Sequence, residues 1–211
     1  MAMPAQLLVA TRNEGKVREL LPMLETTGLR GMTLTTAGIA YVPEEEGIEC
    51  FDTFEENALA KARWFSARSN GMLVLADDSG LAVDALGGEP GVRSKRWAEE
   101  SGAIGHALDD ANNAKLVRSV RGVANRSARY VCVAALAWPT GELFARGECA
   151  GQIVDSPSGA EGFGYDPYFF SEELGVTFGV ASIEAKERVS HRGRAVRAVL
   201  EQFCAVEKIK R

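Results

Sequence analysis

The spacing of apolar residues at the start of the chain predicts a strand followed by a helix. The run QLLVAT at residues 6–11 is almost continuously apolar, as is typical of a short buried strand. The segment NEGKVRELLPMLETTG then places apolar residues at i, i+3, i+4 and i+7 from Val17, which predicts a one-sided helix that ends at Gly28. Pro22 within this helix favours a kink.

The next stretch predicts an extended segment, an acidic loop and a second helix. Residues 32–43 are predicted to be extended, and the acidic loop PEEEGIECFD follows them. Thr53 and Glu56 have the spacing of a capping box, in which each side chain satisfies a backbone N–H group of the other residue. A helix is therefore expected from this pair to about Gly71.

The rest of the chain adds a third helix, a hairpin and a final helix. A helix is predicted over residues 107–121, and the segments ARYVCVAALAW and LFARGECAGQIV, joined by the turn PTGE, predict a β-hairpin. The last helix is expected to begin near Ser190. Strands that alternate with helices, together with one hairpin, predict an α/β protein with a mixed, twisted sheet flanked by helices. The sequence shows neither a repeat nor a linker, so one domain over residues 1–211 is expected.

Composition and charge narrow the class of protein. Hydrophobic residues make up 46% of the 211 residues and charged residues 25%, which is typical of a soluble globular protein. The formal charge of -5 argues against a protein that mainly grips nucleic acid. No apolar run approaches a membrane span, and the start lacks the pattern of a signal peptide. Four scattered cysteines without a CxxC spacing argue against a zinc site and favour reduced thiols, so a cytoplasmic protein is expected.

The stretch LADDSG, residues 75–80, places two adjacent carboxylates after an apolar run. Asp, Ser and Gly are all turn residues, so one interpretation is a solvated turn. The other interpretation is that Asp77 or Asp78 is a metal ligand or general base at the carboxyl end of a strand, where open α/β sheets bind their ligands. The sequence of this stretch alone leaves both open.

The segment TRNEGK has the residue types that bind phosphate. Thr11 and Asn13 can donate hydrogen bonds, Lys16 adds a positive charge, and the start of a helix adds free N–H groups. The spacing is not that of a P-loop. The alternative is an Asn helix cap followed by a solvated lysine.

An acidic segment and an aromatic loop supply two further candidates. Glutamates and an aspartate crowd residues 44–52, and one of them together with Asp78 would satisfy Mg²⁺, which binds one or two carboxylates, waters and phosphate oxygens. The alternative is a solvated acidic loop. In GFGYDP, Phe163 and Tyr165 are flanked by glycines and could stack on a nucleotide base, or fold back onto the core in a tight turn.

The segment KERVSHRGRA groups basic residues before and at the start of the last helix. Lys186, His191, Arg192 and Arg194 lie here, and a histidine beside an arginine can donate hydrogen bonds to a carbonyl oxygen. A charged helix start is the alternative. Because basic residues at the positive end of a helix are electrostatically unfavourable, function is favoured. Together these segments supply phosphate donors, a carboxylate metal site, a stacking loop and donors to the edge of a base, which is what a nucleoside triphosphate requires.

Five motifs in order, TRNEGK, TFEENALAKAR, LADDSGLAVDALGGEPGVRSKRWA, GFGYDPYFF and EAKERVSHRGRA, resemble the inosine triphosphate pyrophosphatase (Ham1-like) family along almost the whole chain. The resemblance implies a mixed α/β fold with two lobes and a deep nucleotide cleft between them, and a homodimer. It also implies Mg²⁺-dependent hydrolysis of the noncanonical purine nucleotides ITP, dITP and XTP to the monophosphate and pyrophosphate.

The resemblance also implies roles for individual residues. Asp78 would bind the metal and act as general base, and Glu49 would be the second metal ligand. Because a phenylalanine replaces the family's usual glycine in ECFDTF, Asp52 and Glu46 remain alternatives to Glu49. The residues that would bind substrate are Thr11, Asn13, Lys16, Ser79, Phe163, Gly164, Tyr165, Asp166, Lys186, His191 and Arg192, the last two at the 6-keto edge of the purine. The alternatives are a nucleotide-binding protein without hydrolysis and a Maf-like pyrophosphatase of other specificity.

Overall fold

The computed structural model describes residues 6–209, with side chains to residue 206. Seven strands and five α-helices follow one another in this range. The strands are β1 (Gln6–Val9), β2 (Arg30–Thr33), β3 (Leu73–Val83), β4 (Ser127–Trp138), β5 (Gly141–Ile153), β6 (Phe169–Ser171) and β7 (Val176–Thr177). The helices are α1 (Glu14–Thr26), α2 (Phe54–Ser66), α3 (His106–Ser119), α4 (Ile183–Val189) and α5 (His191–Ile209). No helix in this range is both long enough and apolar enough to cross a lipid bilayer.

The strands form one mixed sheet in the order β2-β1-β3-β4-β5-β6-β7. The strand β1 is parallel to both of its neighbours, with Leu8 opposite Met32 on one side and Val74 on the other. The strand β6 is antiparallel to β5 and to β7. Because parallel strands need a crossover connection, helices α1 and α2 lie between β1, β2 and β3 in the chain. The predicted mixed α/β fold is confirmed.

Backbone packing divides the chain into two compact units. The first unit comprises Met1–Asp78, Cys132–Gly147 and Arg192–Arg211, and the second comprises Ser79–Val131 and Glu148–His191. Each unit has a buried apolar cluster. The first cluster includes Leu7, Val9, Leu20, Leu24, Leu75, Leu136, Val196 and Val199, and the second includes Leu81, Val83, Leu116, Tyr130, Phe169 and Phe178. A single domain over the whole chain stays a prediction.

The helix starts follow the capping residues that the sequence indicates. The side chain of Asn13 accepts a hydrogen bond from the N–H of Lys16 at 3.1 Å and caps α1. Thr53 caps α2 by accepting from the N–H of Glu56 at 3.2 Å. The predicted helix starts, the hairpin of β4 and β5 and the last helix are confirmed. Helix α2 ends at Ser66 rather than near Gly71, since residues 67–71 form turns.

Two predicted backbone conformations are wrong. Within residues 32–43 the strand extends only as far as Thr33, because Thr33 and Thr36 exchange hydrogen bonds between side chain and backbone and turn the chain. The strand that enters Asp77 does not end there but continues through LADDSG to Val83. The two aspartates therefore lie in mid-strand, not in a turn and not at a strand end.

A close backbone approach explains why a glycine occurs inside β3. A Cβ atom on Gly80 would lie 2.3 Å from the carbonyl oxygen of Gly91 and 2.4 Å from the hydroxyl oxygen of Ser94. Glycine within a strand commonly marks such an approach of two backbone segments. Glycine is therefore required at this position by close packing in the second unit and not by a turn.

Candidate functional site

The two adjacent aspartates of β3 have separate sets of partners. Successive side chains of a strand point to opposite faces of the sheet, so the two carboxylates point away from each other. Asp77 is fully buried, and its Oδ2 lies 3.1 Å from Lys16 Nζ and accepts a hydrogen bond from Arg192 Nε at 3.1 Å. Asp78 accepts a hydrogen bond from Asn57 Nδ2 at 2.9 Å. Each of these mid-strand carboxylates therefore has a hydrogen-bond donor of its own.

The surroundings move the pKa values of the two aspartates in opposite directions. Burial raises the pKa of Asp77, but the charges of Lys16 and Arg192 outweigh it and hold the pKa well below its usual range. For Asp78 burial outweighs the charges of Lys16 and Lys61, and its pKa lies above the ordinary value. Asp77 is therefore a permanent anion, whereas Asp78 is the more basic carboxylate and the better proton acceptor.

The predicted phosphate segment lies at the start of α1, in the first unit. The hydroxyl of Thr11 accepts a hydrogen bond from the N–H of Asn13 at 3.1 Å, and Asn13 caps the helix. Lys16 Nζ donates to the carbonyl oxygen of Asp77 at 3.3 Å as well as contacting its carboxylate. The Asn helix cap of the alternative interpretation is confirmed, but the lysine side chain is held against β3 rather than solvated, and phosphate binding stays a prediction.

The loop before α2 brings one glutamate, Glu49, to a buried lysine. Glu49 Oε1 accepts a hydrogen bond from Lys61 Nζ. Burial opposes ionisation of Glu49, but the charges of Lys61 and Lys16 prevail and lower its pKa. Glu46, by contrast, accepts a hydrogen bond from the exposed Tyr41 hydroxyl at 2.7 Å. Of these two glutamates, Glu49 has the surroundings of a site residue.

The donor set of the first unit fits a hard divalent cation. Burial is the main cause of the raised pKa of Asp78, and the charge of Glu49 raises it further, so the two carboxylates act on each other within the first unit. Among residues 6–209 no larger cluster of His, Cys, Asp or Glu forms a metal-binding group. A pair of carboxylates suits Mg²⁺, which usually keeps several waters and takes further ligands from substrate phosphates.

Arg192 lies in a buried ion network of the first unit. Its side chain is 2% exposed, and its guanidinium donates to Asp77 and, through Nη1, to Glu19 of α1. Burial lowers the pKa of Arg192, but the charges of Glu19 and Asp77 outweigh it, so the group stays protonated. The role of Arg192 at the purine stays a prediction. In the structure Arg192 donates to Asp77, the carboxylate that also pairs with Lys16.

The sequence interpretation missed Asn57, Lys61 and Glu19. A signal was present, since the buried face of α2 consists of Phe54, Asn57, Ala58, Lys61, Ala62 and Phe65, and two polar side chains interrupt this apolar stripe. Glu19 interrupts the buried stripe of α1 in the same way, beside Leu20 and Met23. A polar residue at an apolar position of an amphipathic helix needs a buried hydrogen-bond or charge partner, so this pattern indicates a candidate site residue.

In the second unit the loop GFGYDP is anchored by Asp166. Asp166 Oδ2 accepts hydrogen bonds from the N–H of Phe163 at 2.8 Å and from Lys186 Nζ at 2.6 Å, and Oδ1 accepts from the Tyr130 hydroxyl at 3.2 Å. The carbonyl oxygen of Gly164 accepts from Asn113 Nδ2 at 3.1 Å. Three elements therefore hold the loop in one conformation.

The two aromatic residues of this loop have different surroundings. Tyr165 is 4% exposed, and its hydroxyl donates to the carbonyl oxygen of Ser94 at 2.8 Å, so it folds back onto the core. Phe163 is only partly buried, and Lys186 Nζ lies 5.3 Å from its ring centroid. Of the two alternatives left open for these aromatics, folding back onto the core is confirmed for Tyr165, and stacking of Phe163 on a base stays a prediction.

His191 and Ser79 complete the residues of the second unit that the sequence indicates. The imidazole of His191 is 3% exposed and stacks on the Tyr130 ring, with centroids 4.5 Å apart and ring planes 8° apart. Ser79 follows Asp78 in β3 and is half-buried. The described structure thus groups the predicted phosphate and metal residues with Arg192 in the first unit. It groups Phe163, Gly164, Tyr165, Asp166, Lys186, His191 and Ser79 in the second.

Comparison with known proteins gives a consistent result over nearly the whole chain. The model of the Ham1 family matches residues 7–202. A dITP/XTP pyrophosphatase of Geobacter sulfurreducens is 47% identical over 194 residues, which cover 90% of this chain and 92% of that protein. A dITP/XTP pyrophosphatase of Thermus thermophilus is 44% identical over 201 residues, which cover 94% of this chain and 91% of that protein.

Solved structures show the same fold. The Staphylococcus aureus Ham1 protein aligns with a TM-score of 0.77 at 32% identity, covering 96% of this chain and 99% of that one. A nucleoside-triphosphatase, dITP/XTP pyrophosphatase, of Mycobacterium abscessus aligns with a TM-score of 0.66 at 41% identity, covering 92% and 98%. The similarity therefore extends over both compact units.

Proposed function

Because the chain belongs to the Ham1 family, we propose that it hydrolyses the noncanonical purine nucleotides dITP, XTP and ITP to the monophosphate and pyrophosphate. Relatives of this chain carry the name dITP/XTP pyrophosphatase. The observation that carries the proposal is the buried pair of adjacent aspartates, one fixed as an anion between two cations and the other kept basic. Removal of such nucleotides would cleanse the nucleotide pool.

The first unit supplies the groups for attack on the α-phosphorus. Asp78 accepts a proton from the attacking water, whose oxygen forms a bond to the α-phosphorus as the bond to the β-phosphate oxygen breaks and pyrophosphate leaves. Lys16 and Lys61 neutralise charge on the phosphate oxygens, and Asp77 holds Lys16 in place. The N–H groups at the start of α1, with Thr11 and Asn13, bind the triphosphate.

Glu49 and Asp78 are the residues that would hold Mg²⁺ in this proposal. When bound, the ion would neutralise phosphate charge and make a coordinated water more acidic. Glu49 pairs with Lys61. With the ion bound, Glu49 would have two positive partners, the ion and Lys61. Dependence on Mg²⁺, a homodimer and a cytoplasmic location stay predictions.

The second unit supplies the groups for the base. His191 would donate to the 6-keto group of hypoxanthine or xanthine, and Phe163 would stack on the ring. Adenine carries a donor amine at this position, so a buried donor would be left unpaired, a loss worth roughly 10⁴-fold or more in discrimination. The hydrogen-bond donor that selects the 6-keto group of ITP therefore also disfavours ATP.

The direct test is pyrophosphate release from ITP, XTP, dITP, GTP and ATP, with and without Mg²⁺. We expect metal-dependent turnover of the first three and little turnover of the last two. Tight ITP binding without release of pyrophosphate would identify a nucleotide-binding protein instead. Preference for pyrimidine or modified nucleotides would point to a Maf-like specificity.

Replacement of Lys61 by methionine tests the contribution of the buried lysine that the structure adds to the site. Lys61 lies beside Glu49; burial lowers its pKa, but the charges of Glu49, Asp77 and Asp78 outweigh burial and raise the pKa above its ordinary value. Loss of one charged hydrogen bond to phosphate is worth about 1.5–3 kcal/mol, so kcat/KM for ITP should fall about 10- to 150-fold. Steady-state kinetics at saturating Mg²⁺ measure this change.

A second lysine offers a matched control for Lys61→Met. Lys115 pairs with the exposed Glu100 at 2.8 Å and donates to the carbonyl oxygen of Trp97, both in the second unit. Because neither partner is a residue of the predicted site, Lys115→Met should leave kcat/KM within about twofold of the wild-type value. Equal losses in both variants would show that Lys61 acts through general charge rather than through contact with phosphate.

A further inference from the structure

Tyr130 of β4 contacts two of the residues predicted to bind nucleotide in the second unit. Its ring stacks on the imidazole of His191, and its hydroxyl donates to Asp166. We propose that Tyr130 is a positioning residue for base recognition, which fixes the plane of the His191 ring and ties it to the loop GFGYDP. This inference rests on the proposed function, in which His191 reads the base.

The Tyr130 ring can position a neighbour because it is itself held on several sides. It is 7% exposed and meets Phe169 edge to face, with centroids 4.7 Å apart and planes at 61°. Phe178 lies nearly parallel to it, with centroids 5.8 Å apart and planes at 13°. Contacts between aromatic rings favour particular geometries beyond simple burial. A fixed phenol face therefore restricts the imidazole to one plane and directs its N–H groups within that plane.

The Tyr130 hydroxyl has a separate effect, on the carboxylate of Asp166. That carboxylate accepts from Tyr130 through Oδ1 and from Lys186 and the N–H of Phe163 through Oδ2. Both oxygens are therefore engaged, and rotation of the carboxylate would break at least one contact. One side chain on a rigid strand thus sets the plane of His191 with its ring and the orientation of Asp166 with its hydroxyl.

Two substitutions separate these effects, Tyr130→Phe and Tyr130→Leu. The measured quantity is the ratio of kcat/KM for ITP to kcat/KM for a base-free triphosphate, 1-deoxyribose 5-triphosphate. Tyr130→Phe keeps the stacked ring and removes only the hydroxyl that orients Asp166, so this ratio should fall only about two- to threefold, at the lower end of the loss of one hydrogen bond. Tyr130→Leu removes the ring, and the ratio should fall about tenfold through KM for ITP, an effect of the size of one aromatic pair.

A spectroscopic measurement reads the position of His191 without substrate. The sequence has only two histidines, His106 and His191, so the imidazole C–H signals of histidine-labelled protein can be assigned by one substitution. The protons of a stacked imidazole are shifted by the ring current of its neighbour. We expect the His191 signals to move towards the positions of free histidine in Tyr130→Leu and to stay in place in Tyr130→Phe. The His106 signals should stay unchanged in both variants.

Val120→Ala is the control for loss of core packing. It removes apolar volume from the same buried cluster at a fully buried aliphatic residue, and it leaves intact the aromatic rings that hold Tyr130. It should lower the melting temperature as Tyr130→Leu does, while the kinetic ratio and His191 signals stay at wild-type values. If Tyr130→Leu does not fold, Tyr130→Met removes the same aromatic face with less loss of volume.

Two results would overturn different parts of this inference. Wild-type His191 signals and an unchanged ratio in Tyr130→Leu would reduce Tyr130 to a packing residue and leave the proposed function untouched. A wild-type enzyme that processes ITP no better than the base-free triphosphate would instead overturn base reading itself. The spectrum would still show whether Tyr130 fixes the His191 ring.

Discussion

Replacement of Asp78 by asparagine is expected to lower kcat for ITP by about 10³-fold or more while the fold stays intact. Asparagine has nearly the same shape as aspartate but cannot accept the proton of the attacking water, and it is a poor ligand for a hard cation. The pKa of Asp78 is raised chiefly by burial, which makes it the carboxylate of the pair suited to proton transfer. Single-turnover kinetics with ITP would measure the chemical step directly.

The stability of Asp78→Asn provides an independent check with a defined sign. Because the pKa of Asp78 is raised, its favourable contribution to stability is present below the pKa of the unfolded chain and is lost as pH rises through the folded value. At pH 7 the ionised group is therefore destabilising, and its removal should not lower the free energy of unfolding. Urea denaturation in the presence of a chelator measures the free energy of unfolding of the variant and the wild type at pH 7 and pH 5. The stability of the variant relative to the wild type should be lower at pH 5 than at pH 7.

The neighbouring aspartate is the matched control for Asp78→Asn. Asp77→Asn removes the anion that lies between Lys16 and Arg192, so this variant should lose stability and raise KM through a mispositioned Lys16. Two adjacent residues of one type should thus give opposite results, one losing turnover and the other stability. Near-normal kcat in Asp78→Asn would contradict the assignment of the general base.

The parts of the fold that were predicted correctly depend on local physics. Asn13 and Thr53 start helices through hydrogen bonds to residues three positions later, and the helical period of apolar residues does not depend on the rest of the chain. The hairpin of β4 and β5 follows from two apolar runs separated by Pro139 and Thr140. Such features can be derived from a short window of sequence.

The course of β3 could not be derived in this way. Aspartate is a poor strand former, and a local rule therefore ends the strand at Asp77. The cations that make the strand possible, Lys16 and Arg192, lie 61 and 115 residues away in the chain. The same limit applies to Tyr165, whose orientation depends on a carbonyl oxygen 71 residues away. The order of the motifs indicated which residues belong to the site. Only tertiary contacts distinguish the residues that would face the ligand from the residues that support them.

Replacement of Arg192 by methionine is expected to have the largest effect on stability. The change leaves the buried carboxylates of Glu19 and Asp77 without the guanidinium between them, and breaking a buried ion pair costs about 3–5 kcal/mol. The free energy of unfolding from urea denaturation at pH 7 would measure the loss. Arg129→Met is the control, because Arg129 pairs with the exposed Asp84 at 2.8 Å and should contribute about 1 kcal/mol or less.

The pH dependence of the Arg192→Met defect follows from the pKa of Asp77. In the wild-type protein that pKa is lowered, so Asp77 contributes stability above the pKa of the unfolded chain, about 3.9, and this contribution is lost as pH falls through the folded value. Without Arg192 the carboxyl binds a proton more readily in the folded state. The difference between variant and wild type should therefore be largest at pH 7 and shrink towards pH 4.

The same variant also separates the two roles open to Arg192. A supporting residue that holds Asp77 and, through it, Lys16 should affect ITP and the base-free triphosphate alike, since both carry the phosphates that Lys16 binds. A residue that reads the purine should lower the ratio of kcat/KM for ITP to that for the base-free substrate by about 10-fold or more. Unchanged stability together with a collapsed ratio would place the Arg192 guanidinium at the base, and would mean that substrate displaces it from Glu19 and Asp77.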